Sequence, residues 1–108
     1  MSAVVKVVQP FGILNSISAK KLRNDINELV SSGANIVLID LQDVNFIDSS
    51  GIGALVAAMK MVQNAGGKLF VCSINDQVKM VFALTKMDSV FKHFADRDEF
   101  HRQLLATE

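Results

Sequence analysis

Ile36 to Leu41 (IVLIDL) is apolar except for Asp40, and this short run narrows the folds open to a 108-residue chain more than anything else in it. An apolar run without alternation suits a strand covered on both faces, the usual condition of a parallel strand with helices packed above and below its sheet. After it comes QDVNFIDSSGIG, and then ALVAAMKMVQNAGG, a long apolar helix candidate. Gly66 and Gly67 close that helix where a C-cap favours glycine. Between strand and helix lie Asp48, Ser49, Ser50 and Gly51, a carboxylate and two hydroxyls at the mouth of a helix. A helix N-terminus offers unpaired N–H groups and a partial positive charge, so an anion is welcome there. Gly51 and Gly53 in the first turn each cost the helix about 1 kcal/mol relative to alanine. They also remove side chains that would hold another backbone away.

The remaining elements fall on either side of this unit. Val4, Val5, Val7 and Val8 around Lys6 form a β-branched run, the first strand. Pro10 and Gly12 bracket a turn, and Phe11 to Leu14 is expected to pair back on the first strand as a hairpin. Ser16 or Ser18 caps a helix that carries Leu22, Ile26, Leu29 and Val30 on one face and ends at Gly33. Lys68 to Cys72 is the next strand, and Asn75 caps a helix holding Val78, Val81, Phe82 and Leu84. Val90 to Phe94 supplies one more short strand. Asp96 with Glu99 is a candidate capping box for a last helix bearing Phe100 and Leu104. The order is β-β-α-β-α-β-α-β-α. It predicts an α/β fold: a mixed β-sheet of about four to five strands with four helices packed on it, as a single domain over residues 1–108.

Composition removes several function classes. Eleven basic residues balance eleven acidic ones with no dense Lys/Arg cluster, so nucleic acid is not an expected partner. A single cysteine, Cys72, allows no internal disulfide and suits a reducing compartment. No apolar run approaches the ~18 residues of a membrane span, and MSAVVKVV lacks the features of a signal peptide, so a cytoplasmic location without membrane insertion is expected. Asp40 sits where a response-regulator receiver carries its aspartate. That chemistry needs further carboxylates after the first strand, yet the first acidic residue here is Asp25, inside a helix. Asp40 and Asp43 therefore read as strand-end or turn residues. Gly51-x-Gly53 begins a dinucleotide fingerprint, but Val56 occupies the third glycine position. Two histidines and one cysteine make a poor zinc set. No catalytic residue, metal ligand or cofactor is expected.

A protein partner is the better expectation, with the serine loop as its docking point. On a 3.6-residue period Ile52, Leu55, Val56, Met59 and Val62 form a core face. The other side, Ala54, Ala57, Ala58, Met61 and Ala65, is apolar too, but small. Such a helix is either buried on both sides or open to a partner. The second branch yields a docking set of Asp48, Ser49, Ser50, Gly51, Gly53, Ala54, Ala58 and Met61.

FIDSSGIGALV, preceded by IVLIDLQDV and followed by GGKLFVCSIN, resembles the STAS domain family. That family comprises bacterial anti-sigma-factor antagonists and the cytoplasmic tails of sulphate transporters. The resemblance runs from Gly12-Ile13-Leu14 through VKMVFALTKMDSVFKHF to the last helix, and Asp48-Ser49-Ser50-Gly51 is its most specific part. As a free-standing domain the chain is similar to an antagonist. The resemblance then implies that the unphosphorylated form binds an anti-sigma-factor serine kinase and releases its sigma factor. It also implies that the kinase phosphorylates Ser49 and ends the complex, and that a metal-dependent serine phosphatase restores it. The chain would be substrate and ligand, not an enzyme, and a monomer or weak dimer. Two other roles occur among such domains: a structural subunit on a transporter ATPase, and a small-ligand-binding module. Two positions depart from the family pattern. Asn15 stands where an aspartate is frequent, and Lys86 where a glycine is common.

Overall fold

In the computed structural model, which describes residues 4–107 and side chains as far as Leu104, ten regular elements follow one another. They are β1 (Val5–Val8), β2 (Gly12–Leu14), α1 (Ser16–Ser31), β3 (Ile36–Asp40), β4 (Val44–Ile47), α2 (Ser49–Asn64), β5 (Lys68–Cys72), α3 (Asp76–Leu84), β6 (His93–Phe94) and α4 (Arg97–Thr107), with a 3₁₀ turn at Met87–Ser89. The α/β class with four helices stands as expected. β3 lies inside a sheet of order β1-β3-β5-β6, and all five of its residues are buried. Alternate side chains serve two cores. Val37 and Ile39 join α1, α2 and α3 on one face, while Ile36 and Leu38 join Phe94 and Phe100 on the face covered by α4. Phe70, Phe94 and Phe100 meet there with ring centroids 5.4–5.9 Å apart, in the tilted and edge-to-face arrangements aromatic quadrupoles favour.

Strand pairing differs from the expectation in two ways. The opening hairpin does not form: β2 leaves β1 and pairs with β4 in a separate two-stranded ribbon. Gly12, at φ 76°, opens β2 in a left-handed conformation that few other residues would accept. The second difference is β4 itself, which has no strand signature because Val44 and Ile47 are buried while Asn45 and Phe46 between them are exposed. Every pairing among the described residues is parallel, so no antiparallel neighbour makes the sheet mixed.

Helix ends follow the expected chemistry with local shifts. Asn15, rather than Ser16 or Ser18, caps α1: its Oδ1 accepts from the N–H groups of Ile17 (3.0 Å) and Ser18 (3.2 Å). Ser18 Oγ accepts from the Asn15 N–H in return (2.9 Å), which completes a reciprocal box. Asn75 caps α3 through the Val78 N–H, as the sequence suggests. Asp96 accepts from the Glu99 N–H at 2.8 Å, but the Glu99 carboxylate turns to the Ala95 N–H instead of closing a box.

Asp40 is more than a strand-end residue. It is 1% exposed and receives the Arg97 guanidinium at 2.6 Å, while its other oxygen accepts from the Gln42 N–H. A cation at the first residue of a helix opposes the helix dipole. Its place in α4 follows from the buried carboxylate it neutralises. Arg97 also bonds Gln9, and Gln9 bonds Asp43 (2.8 Å), so α4 is tied to the carboxyl ends of β1 and β3.

Lys86 closes α3 with φ 64°, a left-handed conformation that costs an L-residue roughly 1–2 kcal/mol. Glycine adopts it freely but gives up more chain entropy on folding, so Lys86→Gly should stabilise the fold by about 1 kcal/mol at most. A thermal melt should show a rise of about 4 °C. A lower melting temperature would mean that the lysine side chain makes an unrecognised contact.

Candidate functional site

β2 and β4 run parallel, with an irregularity between Gly12 and Ile13 and Leu14 opposite Ile47, so they deliver their chains to neighbouring helix mouths. Asn15 caps the first mouth and Asp48 the second. Asp48 Oδ1 accepts from the Gly51 N–H at 2.9 Å, and the Asp48 N–H donates to the Leu14 carbonyl at 3.3 Å. Ser49 and Ser50 are the first two residues of α2, and both are exposed. Their hydroxyls have no acceptor or donor among the described residues, so both are free to meet a ligand. The helix end behind them carries the partial positive charge that receives an anion.

The two glycines of the loop have different surroundings. Gly51 is buried, and a Cβ built on it would lie 2.2 Å from the Leu14 carbonyl oxygen and 2.7 Å from Ile47 Cγ1. The backbone it admits is that of β2 in this same chain, so Gly51 is not available as a partner contact. Gly53 is exposed, with nothing within 4 Å of where its Cβ would be.

The expected docking face on α2 is also corrected. Ala54 (4% exposed) and Ala58 (0%) are buried in the main core. α2 has the sheet on one side and α1 on the other, and small side chains let two helices approach closely. Met61 is half-buried against the same core. Asp48, Ser49, Ser50 and Gly53 keep their accessible positions.

Open apolar surface lies elsewhere. Ile13 and Phe46 face each other across the β2–β4 ribbon, and both are exposed. Phe11 before the ribbon is 76% exposed, and Ile17 in the first turn of α1 is 84% exposed. Phe11 and Ile13 belong to the chain entering the first helix mouth, and Ile17 lies just inside it. The pairing of β2 with β4 brings Ile13 and Phe46 together, and no local sequence pattern announces it.

Side chains occupy the ribbon's edges. Ser18 Oγ donates to the Ile13 carbonyl at 2.8 Å on the β2 side. On the β4 side Asn75 Nδ2 donates to the Val44 carbonyl (2.9 Å). Gln77 makes two bonds to Ile47: Oε1 accepts from its N–H (3.0 Å) and Nε2 donates to its carbonyl (3.1 Å). Neither Asn75 nor Gln77 is a site residue that sequence reasoning found in this role. With these edge groups engaged, recognition by strand addition is disfavoured, and a partner would read side chains instead.

Other chemistry is sparse. A cleft of about 460 Å³ opens between β1, the turn after it and α1, lined by Val8, Phe11, Leu14, Leu22 and Leu29 among others, with no residue of the Asp48–Gly53 loop in its walls. Cys72 is buried, and desolvation raises its thiol pKa against the lowering effect of the Ser73 hydroxyl, which keeps it protonated and unreactive. Among the described residues no group of three or more His, Cys, Asp or Glu is placed to hold a metal ion. No helix among them is long and apolar enough to cross a membrane.

The STAS domain model matches residues 2–100 of the chain. The anti-sigma-B factor antagonist of Bacillus subtilis is 32% identical over 79 residues, covering 73% of this chain and 72% of that protein. The crystal structure of TM1081 from Thermotoga maritima superposes with a TM-score of 0.83 at 28% identity, over 94% of this chain and 90% of its own. The antagonist SpoIIAA, in its unphosphorylated form, is a likeness of fold, with a TM-score of 0.70 at 18% identity over 96% and 92% of the two chains. With a superposing fold, a family model spanning nearly its whole length and relatives of this identity, the chain belongs to the STAS domain family.

Proposed function

We propose that the chain is an anti-sigma-factor antagonist whose unphosphorylated form binds an anti-sigma-factor serine kinase in the cytoplasm and so releases a sigma factor. Phosphorylation of Ser49 by that kinase ends the complex, and a serine phosphatase reverses it. The protein acts as ligand and substrate rather than as an enzyme, in monomeric or weakly dimeric form. One observation carries this reading: an exposed serine opens α2 at the end of a ribbon whose Ile13 and Phe46 side chains stand in solvent. The relatives support it by name, as an anti-sigma-B factor antagonist and as SpoIIAA, a protein seen in unphosphorylated and phosphorylated forms. The choice of Ser49 over Ser50 comes from the resemblance to the family motif.

The effect of phosphate follows from electrostatics. A phosphoserine brings about −1.5 to −2 charges at neutral pH. The helix end accepts that charge, so the fold should persist. A partner that presents acidic or uncharged close-packed surface there does not accept it. Burying the phosphate beside Asp48 under close-packed apolar surface desolvates it without a mate. A hundredfold loss of affinity needs only about 2.7 kcal/mol. Unit charges ~4 Å apart near a protein surface interact by about 4 kcal/mol, so one uncompensated charge is enough. Ser49→Ala should bind the kinase and stay bound in ATP, Ser49→Asp should bind about a hundredfold more weakly, and Ser50→Ala should still take phosphate. Each variant is incubated with kinase and ATP and mapped by peptide mass spectrometry. Phosphate on Ser50 of the unaltered protein, or undiminished labelling of Ser49→Ala, would sink the assignment.

A further inference from the structure

β4 has two edges to satisfy, and only β2 offers it a strand. The other edge faces α3, whose own peptide groups are engaged along the helix. A glutamine side chain carries the same donor and acceptor pair as a peptide group. Gln77 uses both on one residue, meeting the Ile47 N–H at 3.0 Å and the Ile47 carbonyl at 3.1 Å. Two bonds to one residue hold its orientation as well as its distance. Asn75, the α3 cap, supplies a third bond at the opposite end of β4, to Val44. Ile47 immediately precedes the Asp48 cap, and its own side chain is fully buried against the start of α2.

We infer that Gln77 is a positioning residue for the serine loop, and that the first turn of α3 holds the Ile47–Asp48–Ser49 backbone in the geometry it presents to a partner. A displacement of α3 is thereby transmitted to Ser49. The functional half of this inference rests on Ser49 being the phosphate acceptor; the structural half does not.

Gln77→Glu tests it through pH. A protonated carboxyl group has one donor and one acceptor and reproduces both bonds. The carboxylate has only acceptors and turns one of them on the Ile47 carbonyl. Amide hydrogen exchange is followed in this variant, in Gln77→Leu and in the unaltered protein, always compared at the same pH. At pH 7 the Ile47 amide should exchange at least tenfold faster in both variants, with exchange broadening of Asp48 to Gly51 in NMR spectra, while Val37 and Leu38 keep their protection. Near pH 4, below the ordinary glutamate pKa of about 4.3, protection should return in Gln77→Glu and not in Gln77→Leu. In a kinase assay Gln77→Leu should lower kcat/KM for Ser49 labelling about tenfold with the phosphate still on Ser49. Unchanged Ile47 exchange in both variants overturns the inference, as does equal acceleration at Val37 and Leu38, which would mark a global loss of stability. Phosphate found on Ser50 of the unaltered protein would instead overturn the reading of Ser49 while the exchange result stood.

Discussion

Ala58→Glu should destabilise the fold itself rather than merely loosen a partner. Ala58 has no exposed surface and sits where α2 meets the main core. A carboxylate placed there finds no cation among its neighbours in that core, and an uncompensated buried charge costs several kcal/mol. The longer side chain adds about 1–3 kcal/mol of overpacking. Against a total stability of ~5–15 kcal/mol for a small domain, a loss on the order of 4 kcal/mol or more removes a large share of the margin. At pH 7 the thermal midpoint should fall by at least about 15 °C, or the transition should lose its cooperativity. The sign of the pH dependence is set by burial. It raises the carboxyl pKa in the folded state above its unfolded value, so the penalty eases as pH drops toward 5 and the group protonates. A near-normal melt at pH 7 would place Ala58 on the surface and contradict the packing of α1 on α2.

Ala58 also marks where sequence reading parts from structure. A helix apolar all round is either buried on both sides or waiting for a partner. In so short a chain the sequence leaves the second branch open, but the core is deep enough for the first because α1 covers what the sheet leaves. β3 and α2 were legible as elements for the same physical reason, since two-sided burial leaves an unbroken apolar run in the sequence. The Asn75 cap and the glycine stops of α1 and α2 were legible because capping is local chemistry. β4 was not, because its exposed central pair breaks the alternation that would announce a strand. Pairings between distant segments were hidden altogether. Asp40 and Arg97 are 57 positions apart, and Gln77 reaches Ile47 across 30. At the site the helix mouth with Ser49 and Ser50 could be read directly. The apolar side chains of the ribbon could not, because they depend on β2 choosing β4 over β1.

Gly51→Ala and Gly53→Ala should have opposite effects, although the sequence presents the two glycines alike, two residues apart in one helical turn. An alanine Cβ at position 51 would stand 2.2 Å from the Leu14 carbonyl oxygen, a backbone atom with no rotamer by which to escape. That oxygen also accepts from the Asp48 N–H, so pushing it away loosens the bond that joins β2 to the α2 cap. The expected loss is about 3 kcal/mol, the upper end of the usual range for overpacking. At position 53 the added methyl group meets nothing within 4 Å, and the backbone there is ordinary helix. Gly53→Ala should therefore stabilise the helix by about 1 kcal/mol through propensity and reduced unfolded-state entropy. For a domain of this size each kcal/mol moves the midpoint by about 4–8 °C, so the two melts should lie more than 15 °C apart. If a partner's backbone comes down over Gly53, that same variant should bind it more weakly while melting higher. Binding would then fall as stability rises, which a purely structural glycine does not produce. A Gly51→Ala melt equal to the unaltered protein would show that β2 can retreat freely, and the close approach between strand and helix would lose its place in the account of the loop.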